Sequence, residues 1–152
     1  KNGLPWHLPD DMVFFKNTTI GGTVIMGRNN YLSIPEKFRP LKNRFNIVLT
    51  SNSSFTAKNC LILNSLESAI NFSKKRNEKN IFIIGGGKLY NYALEKKIVD
   101  LIYLTRIHAT ISGDTFFPKI NMDNWRKLDE KCHKKDKKHK YDFTFLTLEK
   151  IS

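Results

Sequence analysis

The stretch "LPWHLPDDMVFFKNTT", residues 4 to 19, sets two adjacent carboxylates beside apolar and aromatic side chains in a chain otherwise rich in lysine. Pro9 suits the first position of a helix, where its missing N–H costs nothing, so Asp10 and Asp11 fall in the first turn. Both acids could do no more than complement the helix dipole. Their spacing separates them: Asp11, Phe15 and Thr19 recur at i, i+4 and i+8 with Met12 adjacent, so Asp11 shares a face with an aromatic ring. Asp10 turns elsewhere and reads as a helix-start charge. A carboxylate on an apolar face has its pKa raised by desolvation and lowered by the helix N-terminus, an opposition common among functional acids. Such a group could pair with a cationic or amidine-like heterocycle and promote its protonation.

Three further stretches could hold phosphate. In "MGRNN" (26 to 30) an apolar run empties into Gly27 and Arg28 ahead of a short helical segment, where free N–H groups and a guanidinium bind anions. In "LTSN" (49 to 52) the hydroxyls of Thr50 and Ser51 sit at a strand end, although such residues are also ordinary turn formers. In "IFIIGGGKLY" (81 to 90) a buried strand runs directly into Gly85, Gly86 and Gly87, which allow close approach of a pyrophosphate to helix N–H groups. This is neither a GxGxxG fingerprint nor a Walker loop. Taken together, the three suggest an extended phosphate-bearing cofactor across the carboxyl ends of a sheet. Arg44, isolated among lysines, reads by itself as a solvated surface charge.

The elements that must position these groups follow from periodicity. Short apolar runs, "TVIM" (23 to 26), "FNIVLT" (45 to 50), "CLIL" (60 to 63), "IFII" (81 to 84) and "LIYLTRI" (101 to 107), predict strands buried on both faces. Helical patterns lie between them at Pro9 to Thr18, from Leu66 and from Gly87. This alternation predicts an α/β fold with a mostly parallel central sheet and flanking helices. "WRKLDEKCH" and "YDFTFLTLEK" predict a C-terminal antiparallel hairpin, its last strand alternating through Tyr141, Phe143 and Phe145 and then covered on both sides at Leu146 and Leu148.

The chain has 152 residues and eleven phenylalanines, enough for one domain, 1–152, with a real core. No apolar run is long enough to span a membrane. Cys60 and Cys132 lack ligand or disulfide spacing, which fits reduced thiols in the cytoplasm, and no metal site is expected. The net charge of +12 favours anionic partners without choosing among them. The basic stretch "KCHKKDKKHK" (131 to 140) falls at the hairpin turn without interleaved stacking aromatics, so it reads as a solvated tip rather than a nucleic-acid patch. The histidines, His7, His108, His133 and His139, form no HxxxH or triad pattern, and none is assigned to catalysis.

In their order, "GLPWHLPDDMVFFKNTT", "TVIMGRNNYLSIPEKFRPLKNRFNIVLT", "IFIIGGGKLY", "YLTRI" and "GDTFFP" resemble the dihydrofolate reductase family, covering most of the chain from residue 3 to about 118. The resemblance implies hydride transfer from NADPH to 7,8-dihydrofolate, giving the tetrahydrofolate of one-carbon and thymidylate metabolism. It assigns Asp11 to the pteridine amino group and ring nitrogen, with Thr105 tethering that carboxylate and Trp6 in the loop above. Met12, Phe15, Ser33, Ile34 and Leu41 would line the folate slot, and Arg44 would clamp the α-carboxylate of the glutamate tail, overturning its surface reading. Arg28, Thr50 and Ser51 would surround the adenosine 2′-phosphate. Gly27 precedes Asn29 and Asn30, which would start the helix near the pyrophosphate, while Gly86, Gly87, Lys88 and Leu89 supply the second phosphate turn. Tyr90 and the Ile84 carbonyl would sit near nicotinamide and pteridine, and the Gly85–Gly86 bond would be a non-proline cis peptide. Asn30 stands where the family usually has threonine.

The family also has about fifteen residues before "NGLPW", including a central strand, so an upstream segment is expected. Without it the sheet would be interrupted at its middle. The resemblance further implies a monomer that binds small molecules, antifolates included, rather than nucleic acid or membrane. A same-fold reductase of a pyrimidine intermediate in flavin synthesis would share the NADPH turns without needing Asp11, Thr105 and Arg44. The net charge alone would support a basic nucleic-acid-binding module, and a reductase-like binding protein without activity is a third alternative.

Overall fold

The computed structural model describes residues 9–107, 120–137, 139 and 142–151. Trp6 with its loop, His7, His108, Tyr141 and "GDTFFP" lie outside the described residues.

Helix α1 (Pro9–Thr19) opens the described chain with Asp10 and Asp11 in its first turn. A tight connection follows, with Gly21 at φ +81°, where a side chain would be strained. Strand β1 (Thr23–Gly27) then carries Val24, Ile25 and Met26, all fully buried. Eleven helical residues rise about 16 Å and five strand residues about the same. The short connection therefore returns the carboxyl end of β1 to roughly the level of the first turn of α1.

Strands β2 (Phe45–Leu49), β3 (Leu61–Leu63) and β4 (Ile81–Gly85) join β1 in a parallel sheet of order β3-β2-β1-β4. Their apolar runs are continuous because successive side chains fill opposite cores. Ile25 and Ile47 pack with Leu66 and Ala69 of α3 (Leu66–Lys75) and Ala93 of α4 (Gly87–Glu95). Val24, Met26 and Val48 pack on the other face with Tyr31 of α2 (Arg28–Ser33). Helix α3 starts where Ser65 accepts a bond from the Ser68 N–H at 3.2 Å and ends in Lys74 and Lys75, as cap and dipole chemistry favour.

The expected α/β class holds, and its antiparallel part is more than a hairpin. Strand β5 (Leu101–Ile107) joins β6 (Trp125–His133) and β7 (Phe143–Lys150) in a three-stranded sheet of order β5-β7-β6. The last strand is thus central, which explains why Phe143, Thr144, Leu146 and Leu148 are buried on both of its faces. The expectation that β5 is buried on both faces is corrected. Among the described residues β5 pairs with β7 alone, and Leu101 and Tyr103 are exposed. The two sheets share no ladder among the described residues.

The basic tip also departs from the solvated reading. Lys131, Lys134, Lys135 and Lys137 face water, but His139 is only 2% exposed and Phe143 packs beneath it and His133. Two imidazoles with an aromatic floor bury apolar ring surface that the count of lysines conceals.

Candidate active site

The acid is held from a distance of 94 residues. Thr105 Oγ1 in β5 donates to Asp11 Oδ1 at 2.5 Å, fastening the first turn of α1 to the antiparallel sheet. Burial raises the Asp11 pKa above the ordinary carboxylate value, and the Thr105 bond opposes that rise. The ring that seats the helix is Phe14, which stacks on Phe145 at 4.6 Å and meets Tyr103 edge-on at 6.1 Å. Residues i and i+3 lie on the same side of a helix, so the spacing Asp11 to Phe14 carried this signal. Phe15 faces Arg44, whose guanidinium carbon lies 5.8 Å from the ring centre. Met12 is 57% exposed, leaving its side chain open to a ligand.

Arg44 is no loose surface charge. Its Nη1 donates to Thr19 Oγ1 at 3.0 Å and its Nε to the Lys42 carbonyl at 3.0 Å, and burial lowers its pKa. Behind it, buried Asn46 accepts from the Leu41 N–H and donates to the carbonyls of Leu41 and Arg44, each at 2.9 Å. This one amide fixes the loop carrying two expected folate contacts. An asparagine inside the apolar run "FNIVLT" was the available clue. Arg39 similarly donates from Nη1 to the carbonyls of Leu32 and Ile34, at 3.1 and 2.7 Å, closing the end of α2. Ser33 is exposed, with its hydroxyl donating to the Asn30 carbonyl at 2.6 Å, while Ile34 and Leu41 are half-buried against the Val24 core.

The phosphate candidates gather at the carboxyl ends of adjacent strands. Gly27 ends β1, Thr50 and Ser51 follow β2, and Gly85 ends β4. Since β1 lies between β2 and β4, the crossovers depart on its two sides, producing the switch point where α/β sheets bind ligands. Gly27 and Gly86 are the N-cap residues of α2 and α4, and neither helix start receives a side-chain cap bond. Their leading N–H groups therefore suit an anion, and partly buried Arg28 opens α2 beside them. Thr50 Oγ1 accepts from the Asn52 N–H at 3.1 Å, next to exposed Ser51. This donor set fits a pyrophosphate with a further phosphate at its flank.

The Gly85–Gly86 peptide is cis, and Gly85 has φ +138°. A Cβ at Gly85 would lie 2.8 Å from Asn30 Oδ1, so the departure at residue 30 occupies the space this glycine leaves. Asn29 and Lys88 are exposed, whereas Leu89 packs into the Ile25 core. Ile84 packs on the Val24 side of the sheet. The Tyr90 N–H donates to the Gly86 carbonyl at 3.0 Å, and burial pushes its phenol up to about 12, so it stays neutral across the physiological range.

An α/β fold whose uncapped helix starts follow glycines at a switch point, with a desolvated acid on an adjoining helix, belongs to the architectures suited to a phosphate-bearing ligand. The dihydrofolate reductase family model matches residues 1–150. Dihydrofolate reductase of Staphylococcus haemolyticus is 40% identical over 150 residues, spanning 99% of this chain and 86% of that protein. That of Haemophilus influenzae is 42% identical over 147 residues, spanning 97% and 87%. The solved dihydrofolate reductase from Enterococcus faecalis, complexed with NADP(H) and RAB-propyl, superposes with a TM-score of 0.86 at 35% identity, covering 98% of this chain and 86% of that one. The chain belongs to the dihydrofolate reductase family. It is an enzyme whose reaction is the NADPH-dependent reduction of dihydrofolate to tetrahydrofolate.

Proposed function

We propose that Asp11 is the group through which this chain promotes protonation of the pteridine. The single observation carrying this reading is the Thr105–Asp11 hydrogen bond of 2.5 Å, which fixes one carboxylate oxygen and leaves the other for substrate. The free oxygen pairs with the 2-amino group and adjacent ring nitrogen, and the pair favours proton uptake at N5. Phe15, Met12, Ile34 and Leu41 give this ring an apolar slot, with Ser33 at its rim. Arg44, already oriented by Thr19 and the Lys42 carbonyl, holds the α-carboxylate of the tail. Trp6, outside the described residues, is assigned with this acid by family resemblance alone.

NADPH supplies a hydride when bound. Arg28, Thr50 and Ser51 take its 2′-phosphate, which distinguishes it from NADH. Gly27, Asn29 and Asn30 meet the pyrophosphate from α2, and Gly85, Gly86, Gly87, Lys88 and Leu89 meet it from α4. Ile84 and Tyr90 border the reacting rings. The protein thereby contributes alignment and electrostatics.

We further assign residues 1–152 to one domain acting on small molecules in the cytoplasm as a monomer, with antifolates as competitors for the same slot. Two free cysteines support a reducing compartment, and among the described residues no helix is long and apolar enough to cross a membrane. The test of the central assignment is loss of NADPH absorbance on adding dihydrofolate, compared between wild type and Asp11→Asn. Turnover at pH 7 falls by about 10²–10⁴, the usual contribution of a positioned acid or base. Equal turnover would remove Asp11 from the chemistry.

A further inference from the structure

The imidazoles of the hairpin tip meet the other acid of the opening pair. His133 Nε2 lies 3.0 Å from Asp10 Oδ2, and His139 Nε2 lies 3.8 Å from Asp10 Oδ1. We propose that Asp10, His133 and His139 form a binding site for a divalent transition-metal ion of the zinc class.

The hydrogen bonds set the tautomers. His133 Nδ1 lies 2.9 Å from the Lys134 carbonyl, which can only accept, so Nδ1 carries the proton. His139 Nδ1 lies 2.8 Å from Asp136 Oδ1, and its Nε2 accepts from the Asp10 N–H at 3.2 Å, so this ring is also protonated at Nδ1. The His139 Nε2 lone pair is thus available beside Asp10, and His133 Nε2 and Asp10 Oδ2, 3.0 Å apart, can exchange a proton held between them for a cation. An Nδ1–H held by a carbonyl or carboxylate is the usual outer support of a metal-binding imidazole.

Size and rigidity agree with this reading. One ligand atom from each residue lies within 4.8 Å of the others. Ligands sharing a tetrahedral ion at about 2.0–2.1 Å are roughly 3.4 Å apart, so small shifts suffice. His139 is almost completely buried, and Phe143 stacks on His133 at 4.6 Å and contacts His139 at 5.1 Å. The long Asp10 N–H bond to Nε2 would be given up, and that N–H, in the first turn of α1, can turn to water. Two imidazoles and one carboxylate suit zinc, cobalt(II) or nickel rather than magnesium or calcium. The ion would tie the first turn of α1 to the hairpin tip, one residue from Asp11.

The probe is cobalt(II) alone, added to chelator-treated full chain and followed by its visible bands, with zinc competition. One equivalent of cobalt binds, zinc displaces it, and the melting temperature rises with zinc concentration. His133→Ala and Asp10→Asn each weaken binding at least about tenfold, and Asp136→Asn weakens it by about 10–100-fold by releasing the His139 ring. His139→Ala can unfold the tip, so His133→Ala, with circular dichroism unchanged in the absence of metal, decides the question. No saturable binding, or equal affinity in wild type and His133→Ala, overturns the proposal.

Discussion

In the function proposed above, the carboxyl edge of the parallel sheet and the junction of α1 with the antiparallel sheet serve one reaction by different means. At the parallel edge the backbone does most of the work: uncapped N–H groups of α2 and α4 follow glycines at the ends of β1 and β4. At the junction a single carboxylate is held by a hydroxyl 94 residues away. Backbone sites require space and permissive dihedrals, whereas the acid requires a particular environment. The first should respond to substitution through geometry and the second through pH.

The largest separation between the regions should therefore come from a pH series. The Asp11→Asn deficit in dihydrofolate turnover, about 10²–10⁴ at neutral pH, should shrink on acidification as solvent supplies pre-protonated substrate. A variant of the parallel edge should show no such rescue. An Asp11→Asn deficit that stays constant from pH 7 to 5 would place the two regions in the same class.

Next comes cofactor choice. Arg28→Gln removes one charge from the cradle and leaves its backbone in place. The preference for NADPH over NADH, taken as a ratio of kcat/KM values, should fall by about 10–100-fold, the scale of a charge-assisted hydrogen bond. KM for dihydrofolate should hardly change. If NADPH and NADH lost efficiency equally, Arg28 would be serving the pyrophosphate or the fold instead of the 2′-phosphate.

Geometry itself is tested at Gly85. An alanine there combines a strained φ of +138° with a contact of 2.8 Å to Asn30 Oδ1. Gly85→Ala should cost about 1–2 kcal/mol in urea denaturation. Adding Asn30→Ala should restore the part due to contact and leave the part due to dihedral strain. Full restoration would show that the backbone is not under constraint.

The same division governs what could be read from the sequence. The parallel half was legible because each strand's apolar run empties into its own turn, so motif and element are contiguous, as in "IFIIGGGKLY". The helix of α3 was equally plain, with its cap, apolar side and basic end in one stretch. Long-range placement was harder: nothing local in "LIYLTRI" shows that β5 pairs with β7, and Thr105 was linked to Asp11 through family resemblance. Phe14, adjacent to Phe15, was not singled out, and its stacking on Phe145 depends on the distant strand β7. His133 and His139 sit among lysines, and only the return of β7 beside β6 brings them to Asp10. Asn46 was visible as a polar residue in a buried run, yet its loop-fixing bonds depend on the path of residues 41 to 44.

The smallest effect is the most specific to the junction. Thr105→Val removes the bond that opposes the burial-driven rise of the Asp11 pKa, so this pKa should move further up. Turnover at neutral pH should fall by about tenfold, the lower end of the scale for a hydrogen bond to a charged group, and the acidic limb of the rate profile should shift to higher pH. Stability follows the same sign. An acid whose pKa is higher folded than unfolded holds its proton more tightly in the folded state, so its contribution is fully present below the unfolded value and is lost as pH rises through the folded one. Thr105→Val should extend that loss to higher pH, while Asp11→Asn should abolish it. A Thr105→Val profile superimposable on wild type in both rate and stability would mean that the hydroxyl does not tune the acid, leaving the junction as dependent on shape alone as the parallel edge.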